Sequence, residues 1–176
     1  MMMESFKTVS ISGRVAFGIH CLEAALKQYN YDTPEVRLIL ARIREFVEKD
    51  DLDVWERRVT EIAPSSILDG HPANIFEQYE TISLEYLISL KKLYESMQSL
   101  LKDLIDAVID IGKSNLYGGV GAYSEYSLRE VDKVIDIMND LQVPVPESTP
   151  YFISPFSENG GWGITRLMSD FEKHTT

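Results

Sequence analysis

The segment Leu84–Ile111, LEYLISLKKLYESMQSLLKDLIDAVIDI, gives the clearest indication of the fold. Its apolar residues recur at alternating steps of three and four, which is the spacing of one face of an α-helix. This regularity predicts one continuous helix over the whole segment. Leu93, Leu100 and Ile105 widen the apolar face, as is typical of a helix in a bundle core. The face itself consists of Leu87, Leu90, Tyr94, Met97, Leu101, Leu104, Val108 and Ile111.

The sequence before this segment also favours helices. Apolar residues repeat at helical spacing over residues 13–29, and Gly18 on that face would permit a close helix contact. Thr33 and Pro34 are well suited to be the N-cap and first residue of a second helix, which we expect to end near Lys49. A third helix is predicted for residues 51–62.

The sequence after the segment predicts a loop, a fifth helix and a tail. Gly112 fits a left-handed cap that ends the long helix. Ser127 and Glu130 have the spacing of a capping box, so we expect the fifth helix to begin there. Prolines predict an extended tail over residues 142–163, and a short helix over residues 164–173 would close the chain.

Together these patterns predict a single all-α domain over residues 1–176. We expect an N-terminal arm over residues 1–12, then a bundle of five to six helices. The extended C-terminal tail, which is rich in proline, glycine and aromatic residues, would pack on the bundle.

Composition restricts the classes of partner. The chain of 176 residues has 28 acidic and 17 basic residues, which gives a net charge of −11. This charge disfavours nucleic acids and anionic membranes and favours a basic protein partner. The N-terminus does not have the pattern of a signal peptide, and Cys21 is the only cysteine. We therefore expect a cytoplasmic protein.

The triplet Gly112-Lys113-Ser114 resembles part of a phosphate-binding loop, but its context does not fit one. Such a loop needs a glycine five residues before the triplet, and Ala107 holds that position. The triplet also ends a predicted helix, whereas a phosphate-binding loop opens one. We therefore expect no nucleotide cofactor here.

Two acidic stripes lie on the predicted helices. Their spacing places each stripe nearly opposite the apolar face of its helix, so both are expected to face solvent as an acidic interaction face rather than to form a metal site. The first stripe is Asp103, Asp106 and Asp110, and the second is Asp132, Asp136 and Asp140.

The histidines and the cysteine do not indicate catalysis. His20 and Cys21 are adjacent, and adjacent helix residues point about 100° apart, so they do not form a nucleophilic pair. His71 lies in a predicted loop, where it could meet a ligand. We predict no catalytic residue, no metal site and no cofactor.

Aromatic residues set among glycines are the remaining candidate binding surface. Tyr117, Tyr123 and Tyr126 surround a glycine cluster, and Trp162 lies between two glycines. Tyrosine and tryptophan beside small residues are typical of recognition surfaces. The alternative is that these rings close the open end of the bundle.

Three functional hypotheses follow. The first is a protein that binds a basic partner through its acidic surface, as small acidic antitoxins and immunity proteins do; this is an analogy of charge, not of motif. The second is a small-molecule-binding or enzymatic domain with a pocket between residues 112–127 and 152–163, and with Tyr123, His71 and Glu125 as polar groups. The third is a homo-oligomer that assembles through the long fourth helix.

Overall fold

The computed structural model describes residues 2–69 and 79–173, and these two ranges contain nine α-helices and no strand. The prediction of an all-α chain is therefore confirmed. None of the helices in these ranges is both long and apolar enough to cross a membrane. The α-helices are α1 (Met2–Phe6), α2 (Ile11–Gln28), α3 (Pro34–Glu48), α4 (Leu52–Thr60), α5 (Pro64–Leu68), α6 (Leu84–Ser96), α7 (Ser99–Lys113), α8 (Glu125–Asp140) and α9 (Met168–Glu172).

Side-chain caps set the starts of the first long helices. Ser10 caps α2 by accepting a hydrogen bond from the backbone N–H of Gly13, so α2 begins before the predicted residue 13. Thr33 caps α3 and Pro34 is its first residue, as predicted. Asp51 caps α4. In each case a side-chain oxygen satisfies a backbone N–H that has no partner within the helix.

The predicted continuous helix over Leu84–Ile111 is wrong, because the chain forms two helices there. Met97 and Gln98 are extended, with ψ angles of 144° and 143°, and they separate α6 from α7. The Ser96 hydroxyl donates a hydrogen bond to the Leu93 carbonyl at the end of α6. Such a local bond offers the backbone an alternative to continuing the helix. The apolar spacing continues through the break, which is why the sequence pattern does not reveal it.

Helix α2 lies at the centre of the fold. It contacts α3, α7 and α8, and α7 and α8 also pack against each other. A β-carbon added at Gly18 would lie 3.0 Å from Ile111 and 3.1 Å from Val108. The close helix contact expected at Gly18 is therefore confirmed. The predicted apolar face of α2 is buried at Val15, Ile19, Leu22 and Leu26.

Two expected helix ends differ from the structure. Gly112 is not a left-handed cap: it lies inside α7, which ends at Lys113. The capping box at Ser127 is also wrong, because α8 begins at Glu125, after Ser124 in a left-handed conformation with φ of 49°. The Ser127 hydroxyl instead accepts a hydrogen bond from a buried arginine, which is described below.

The two chain termini are more structured than expected. The predicted N-terminal arm contains α1, and the predicted extended tail contains two 3-10 helices, Thr149–Ile153 and Glu158–Gly161. Val9 and Pro155 form an isolated antiparallel bridge, which joins the two termini. The closing helix α9 is shorter than the predicted residues 164–173.

Candidate functional site

The loop between α7 and α8 presents its tyrosines to solvent. Tyr117 is 87 % exposed, Tyr126 is 57 % exposed and Tyr123 is 37 % exposed. A β-carbon added at Gly118 or Gly119 would meet no atom within 4 Å, so packing does not require glycine there. These three rings therefore do not close the end of the bundle, and they are available for contact with another molecule.

Arg14, which is fully buried, fixes the end of this loop. Its guanidinium donates to the carbonyl oxygens of Tyr123, Ser124 and Phe6 at 2.7 to 3.1 Å, and to the Ser127 hydroxyl. All five N–H donors are used, and every acceptor is neutral. Burial lowers the pKa of Arg14 to about 10, so it remains charged at neutral pH. One side chain thus joins α1, α2 and the start of α8.

Sequence reasoning missed Arg14 as a structural centre. The only signal was an arginine within the apolar stretch ISGRVAFGI, residues 11–19. A charged residue at an apolar position of a helix indicates that buried acceptors surround it. These acceptors are backbone carbonyls from distant segments, and the sequence pattern does not identify them.

A groove of about 480 Å³ lies beside Tyr117, between α4 and the segment that begins at Tyr79. The groove contains three carboxylates and one guanidinium, so it is predominantly acidic. Two tyrosines and two hydroxyl residues complete the wall. The lining residues are Glu56, Arg57, Thr60, Glu61, Ser66, Tyr79, Glu80 and Tyr117.

Glu61 forms the fixed floor of the groove. It accepts hydrogen bonds from the backbone N–H groups of Glu80, at 2.6 Å, and Thr81, at 3.1 Å, and from the Thr81 hydroxyl. Its buried ion pair with Arg42 is 3.2 Å long. Burial by itself would raise the pKa of Glu61, but the bonds from Thr81, Glu80 and Arg42 outweigh burial and hold that pKa below its ordinary value. Glu61 is therefore ionised but fully engaged within the protein.

Glu56 and Glu80 are the carboxylates at the rim. The Tyr117 hydroxyl donates to Glu56 at 2.6 Å, and this bond, with the nearby charge of Asp53, raises the pKa of Tyr117. Glu80 is 3.8 Å from Arg57, and both side chains are mostly exposed. The rim therefore offers the exposed carboxylate of Glu80, the half-buried carboxylate of Glu56 and an open aromatic ring, which is a combination suited to a cation.

The other predicted tyrosines belong to a different surface. The Lys7 ammonium lies 5.1 Å from the centre of the Tyr123 ring, and the Arg129 guanidinium lies 5.2 Å from that of Tyr126. Arg129 also pairs with Glu125 at 3.3 Å. These two rings already have cationic neighbours, so the structure separates them from the acidic groove at Tyr117. His71 lies outside the described residues.

Trp162 anchors the tail to α2 and α3. The Trp162 ring is half-buried beside Phe46, with ring centres 6.5 Å apart, and its carbonyl accepts a hydrogen bond from the backbone of Ser12. The cleft beside Trp162 has a volume of only about 30 Å³. The loop and the tail touch at Val120, which would lie 2.7 Å from a β-carbon added at Gly161.

The second acidic stripe, Asp132, Asp136 and Asp140, lies in solvent on α8. The first stripe is different. Asp103 is exposed, but Asp106 and Asp110 are half-buried, so the expectation of a fully solvated stripe is wrong at these two positions.

Helix α5 covers part of the first stripe. Asp106 accepts hydrogen bonds from the backbone N–H and hydroxyl of Ser65, at 3.2 and 3.0 Å. Burial raises the pKa of Asp106 and of Asp110, and it also raises the pKa of Glu130 on the neighbouring helix α8. These carboxylates thus have a less polar environment than the exposed acids of the second stripe.

Within residues 2–69 and 79–173, the structure does not arrange three or more His, Cys, Asp or Glu side chains to hold a metal ion. Cys21 is buried, and burial raises the pKa of its thiol, as for a small buried apolar residue. The His20 Nδ1 atom lies 2.7 Å from the Tyr151 hydroxyl rather than beside the thiol.

Fold and groove together define the class of this molecule as an all-α protein with an acidic, tyrosine-bearing surface groove. No family model matches the chain. Comparison with curated proteins and with solved structures also finds no match.

Proposed function

We propose that the protein is a cytoplasmic binding protein that holds a basic segment of another protein in the groove at Tyr117. The observation that carries this proposal is the open Tyr117 ring in a groove of about 480 Å³ whose wall also contains Glu56 and Glu80. The platform is a bundle of five to six helices with the tail of residues 142–163 packed on it. Neutralisation of a basic partner, as by an immunity protein or an antitoxin, is the corresponding biological role.

Charge supports a basic occupant. Glu80 is exposed, and Glu56 is half-buried with a single hydrogen bond from Tyr117, whereas Glu61 is buried and engaged in the floor. Arg57 is the internal cation of the groove, and its 3.8 Å separation from Glu80 is a loose contact between exposed groups. A cation from a partner can therefore pair with Glu80 at little cost, since exposed pairs contribute roughly 0 to 1 kcal/mol.

Tyr117 gives the groove its selectivity for a cationic side chain. The hydrogen bond from its hydroxyl to Glu56 fixes the edge of the ring and leaves the ring faces in solvent. A lysine or arginine placed over such a face is attracted by the ring quadrupole, which contributes roughly 0.5 to 2 kcal/mol. The neighbouring carboxylates add to that attraction.

The acidic stripe Asp132, Asp136 and Asp140 would assist at longer range. These exposed side chains contribute to the net charge of −11 and would attract a basic partner before contact. The proposal therefore divides the roles: the groove binds, and the stripe raises the rate of association.

Fluorescence anisotropy with a labelled hexa-arginine peptide at low salt tests this proposal. We expect binding by the native protein and loss of most affinity in the Glu56→Gln/Glu80→Gln variant. The Asp132→Asn/Asp136→Asn variant is the matched control, because it removes the same charge from another surface and should retain most of the affinity. If both variants weakened binding equally, net charge rather than the groove would be responsible, and the proposal would fail.

A small-molecule site in the same groove is the second candidate function. Its volume of about 480 Å³ lies within the range of roughly 300 to 1,000 Å³ that is usual for small-molecule sites. This groove is a different location from the pocket expected from the sequence between residues 112–127 and 152–163. A thermal-shift screen with cationic metabolites tests it: the native protein should be stabilised, and the Glu56→Gln/Glu80→Gln variant should not.

A further inference from the structure

Helix α6 has an apolar surface that is separate from the Tyr117 groove. Leu84 is 45 % exposed and Ile88 is 46 % exposed, and the two side chains lie one helical turn apart on the same side. The neighbouring side of α6, about 100° away around the helix axis, enters the core through Leu87, Leu90 and Tyr94. Thus α6 has apolar residues both in the core and in solvent.

A shallow groove of about 210 Å³ lies next to these two residues. The exposed face of α6 contributes Ile88, Lys91, Lys92 and Glu95 to its wall, and Leu87, Ile67 of α5 and Tyr79 complete it. Lys91, Lys92 and Glu95 follow Ile88 by three, four and seven positions. Four side chains with this spacing frame a hole in knobs-into-holes helix packing. The groove can therefore receive one apolar side chain from a facing helix.

A second copy of α6 supplies suitable knobs. In an antiparallel pair with the two-fold axis beside Ile88, the partner's Leu84 lies over the hole framed by Ile88, Lys91, Lys92 and Glu95. The same register places the partner's Ile88 over the hole that begins one turn earlier, at Leu84. Because one register satisfies both knobs, the surface is complementary to itself, as a two-fold interface requires.

The charges also favour the antiparallel arrangement. In this register Glu85 lies on the same flank as the partner's Lys92 and close to its level along the axis, so unlike charges meet on both sides of the axis. A parallel pair in register would place Lys91 and Lys92 against the same lysines of the other copy. Like charges in direct opposition destabilise a pair, so charge selects one direction.

We infer that the exposed face of α6 is a self-association surface on which two copies of the chain pair in an antiparallel, two-fold arrangement. Homo-oligomerisation was expected from the apolar face of the segment Leu84–Ile111. That face cannot be the self-association surface, because its residues are buried within the chain. A contact of two helical turns is smaller than the roughly 800 Å² per partner of a stable interface, and each copy carries a charge of −11. The dimer is therefore weak and forms only at high concentration.

Sedimentation equilibrium over a wide range of concentration tests this inference. The native protein should be monomeric at roughly micromolar and largely dimeric at roughly millimolar concentration. Ile88→Lys should abolish dimerisation, whereas Ile164→Lys, the same change at an exposed isoleucine of the tail, should not. Thermal melting of both variants shows whether each still folds, and Leu84→Lys provides a second disruption if Ile88→Lys does not fold.

Charge reversal tests the register. Glu85→Lys and Lys92→Glu should each weaken the dimer at least several-fold, and the double variant should restore it. A monomer at every concentration, or a dimer that Ile88→Lys and Ile164→Lys leave equally intact, would overturn the inference. Loss of the dimer in Lys92→Glu without rescue in the double variant would also overturn it, and would instead indicate an acidic helix of another protein as the occupant.

Discussion

At the scale of single residues, Gly112 shows that a glycine can be required by its packing neighbours instead of by its position at a helix end. Gly112 was expected to end a helix, yet it lies inside α7 against two aromatic rings. A β-carbon there would lie 2.7 Å from Trp55 and 3.0 Å from Phe46. The glycine is therefore required by the packing of α3 and α4 against α7, and not by backbone conformation.

The substitution Gly112→Ala distinguishes these two explanations. In an unobstructed helix, alanine would stabilise the protein by about 1 kcal/mol relative to glycine. At Gly112 we expect the opposite, a loss of about 1 to 3 kcal/mol in the free energy of unfolding, because the methyl group overpacks the contact with Trp55 and Phe46. Urea denaturation measures the change, and Gly118→Ala, at a position with free space, should have almost no effect. A more stable Gly112→Ala protein would contradict the packing explanation.

At the scale of helices, the break between α6 and α7 is the main departure from the sequence pattern. Gln98 is the N-cap of α7 and has a φ angle of −56°, and the preceding Met97 has an extended ψ angle of 144°. Both values suit a proline at position 98, since proline fixes φ near −65° and favours an extended residue before it. A continuous helix would not tolerate proline there.

We therefore expect Gln98→Pro to be neutral or to raise the free energy of unfolding by up to about 1 kcal/mol, because proline reduces the entropy of the unfolded chain. Lys102→Pro, four residues later and inside α7, should destabilise the protein by about 3 kcal/mol or more. Chemical denaturation of the two variants measures the contrast. Equal destabilisation by both prolines would show that the helix continues through position 98.

At the scale of the whole molecule, buried polar contacts fix the C-terminal tail to α2. The His20 Nδ1 atom and the Tyr151 hydroxyl are 2.7 Å apart, and Tyr151 is almost fully buried. Burial lowers the pKa of His20 below its ordinary value of 6.5; the charge of Arg44 lowers it further, whereas Glu23 and Glu172 act in the opposite direction. The folded protein therefore favours neutral His20.

This lowered pKa predicts a pH dependence of stability. Between the pKa of folded His20 and 6.5, the unfolded chain binds the proton more readily, so the free energy of unfolding decreases as the pH falls through this range. In His20→Gln, which can still form a hydrogen bond with the Tyr151 hydroxyl, this decrease should be absent. Urea denaturation at several pH values between about 5 and 8 measures both proteins.

The contribution of His20 is the difference between the native protein and His20→Gln in how the free energy of unfolding changes with pH. The raised pKa values of Asp106, Asp110 and Glu130 stabilise the folded state as the pH falls, and they do so equally in both proteins. Their contribution cancels when the curves are subtracted. Parallel curves for the native protein and His20→Gln would show that His20 has the same proton affinity in the folded and unfolded states.

Features that depend on residues close in sequence could be predicted, whereas features that depend on contacts between distant segments could not. The cap at Thr33 was predictable because local residue types determine it. At Gly18 the lack of a side chain indicated a close contact, but the sequence did not identify its partners, Val108 and Ile111. The start of α8 was not, because Ser127 receives its hydrogen bond from Arg14, which is distant in sequence. The groove also escaped prediction: Glu56 and Tyr117 belong to different parts of the chain, and only the path of the loop brings them together.

By itself, the sequence determined that this protein is all-α, that its apolar faces form the core, and that it carries an excess of acid. These properties depend on the spacing of residues within one helix and on composition, both of which are local. The tertiary structure alone decided where the long helix breaks, which acids are half-buried and which tyrosine stands beside carboxylates. Those properties depend on contacts between distant segments, such as Arg14 with the loop and Glu61 with Thr81, whose partners no local pattern specifies.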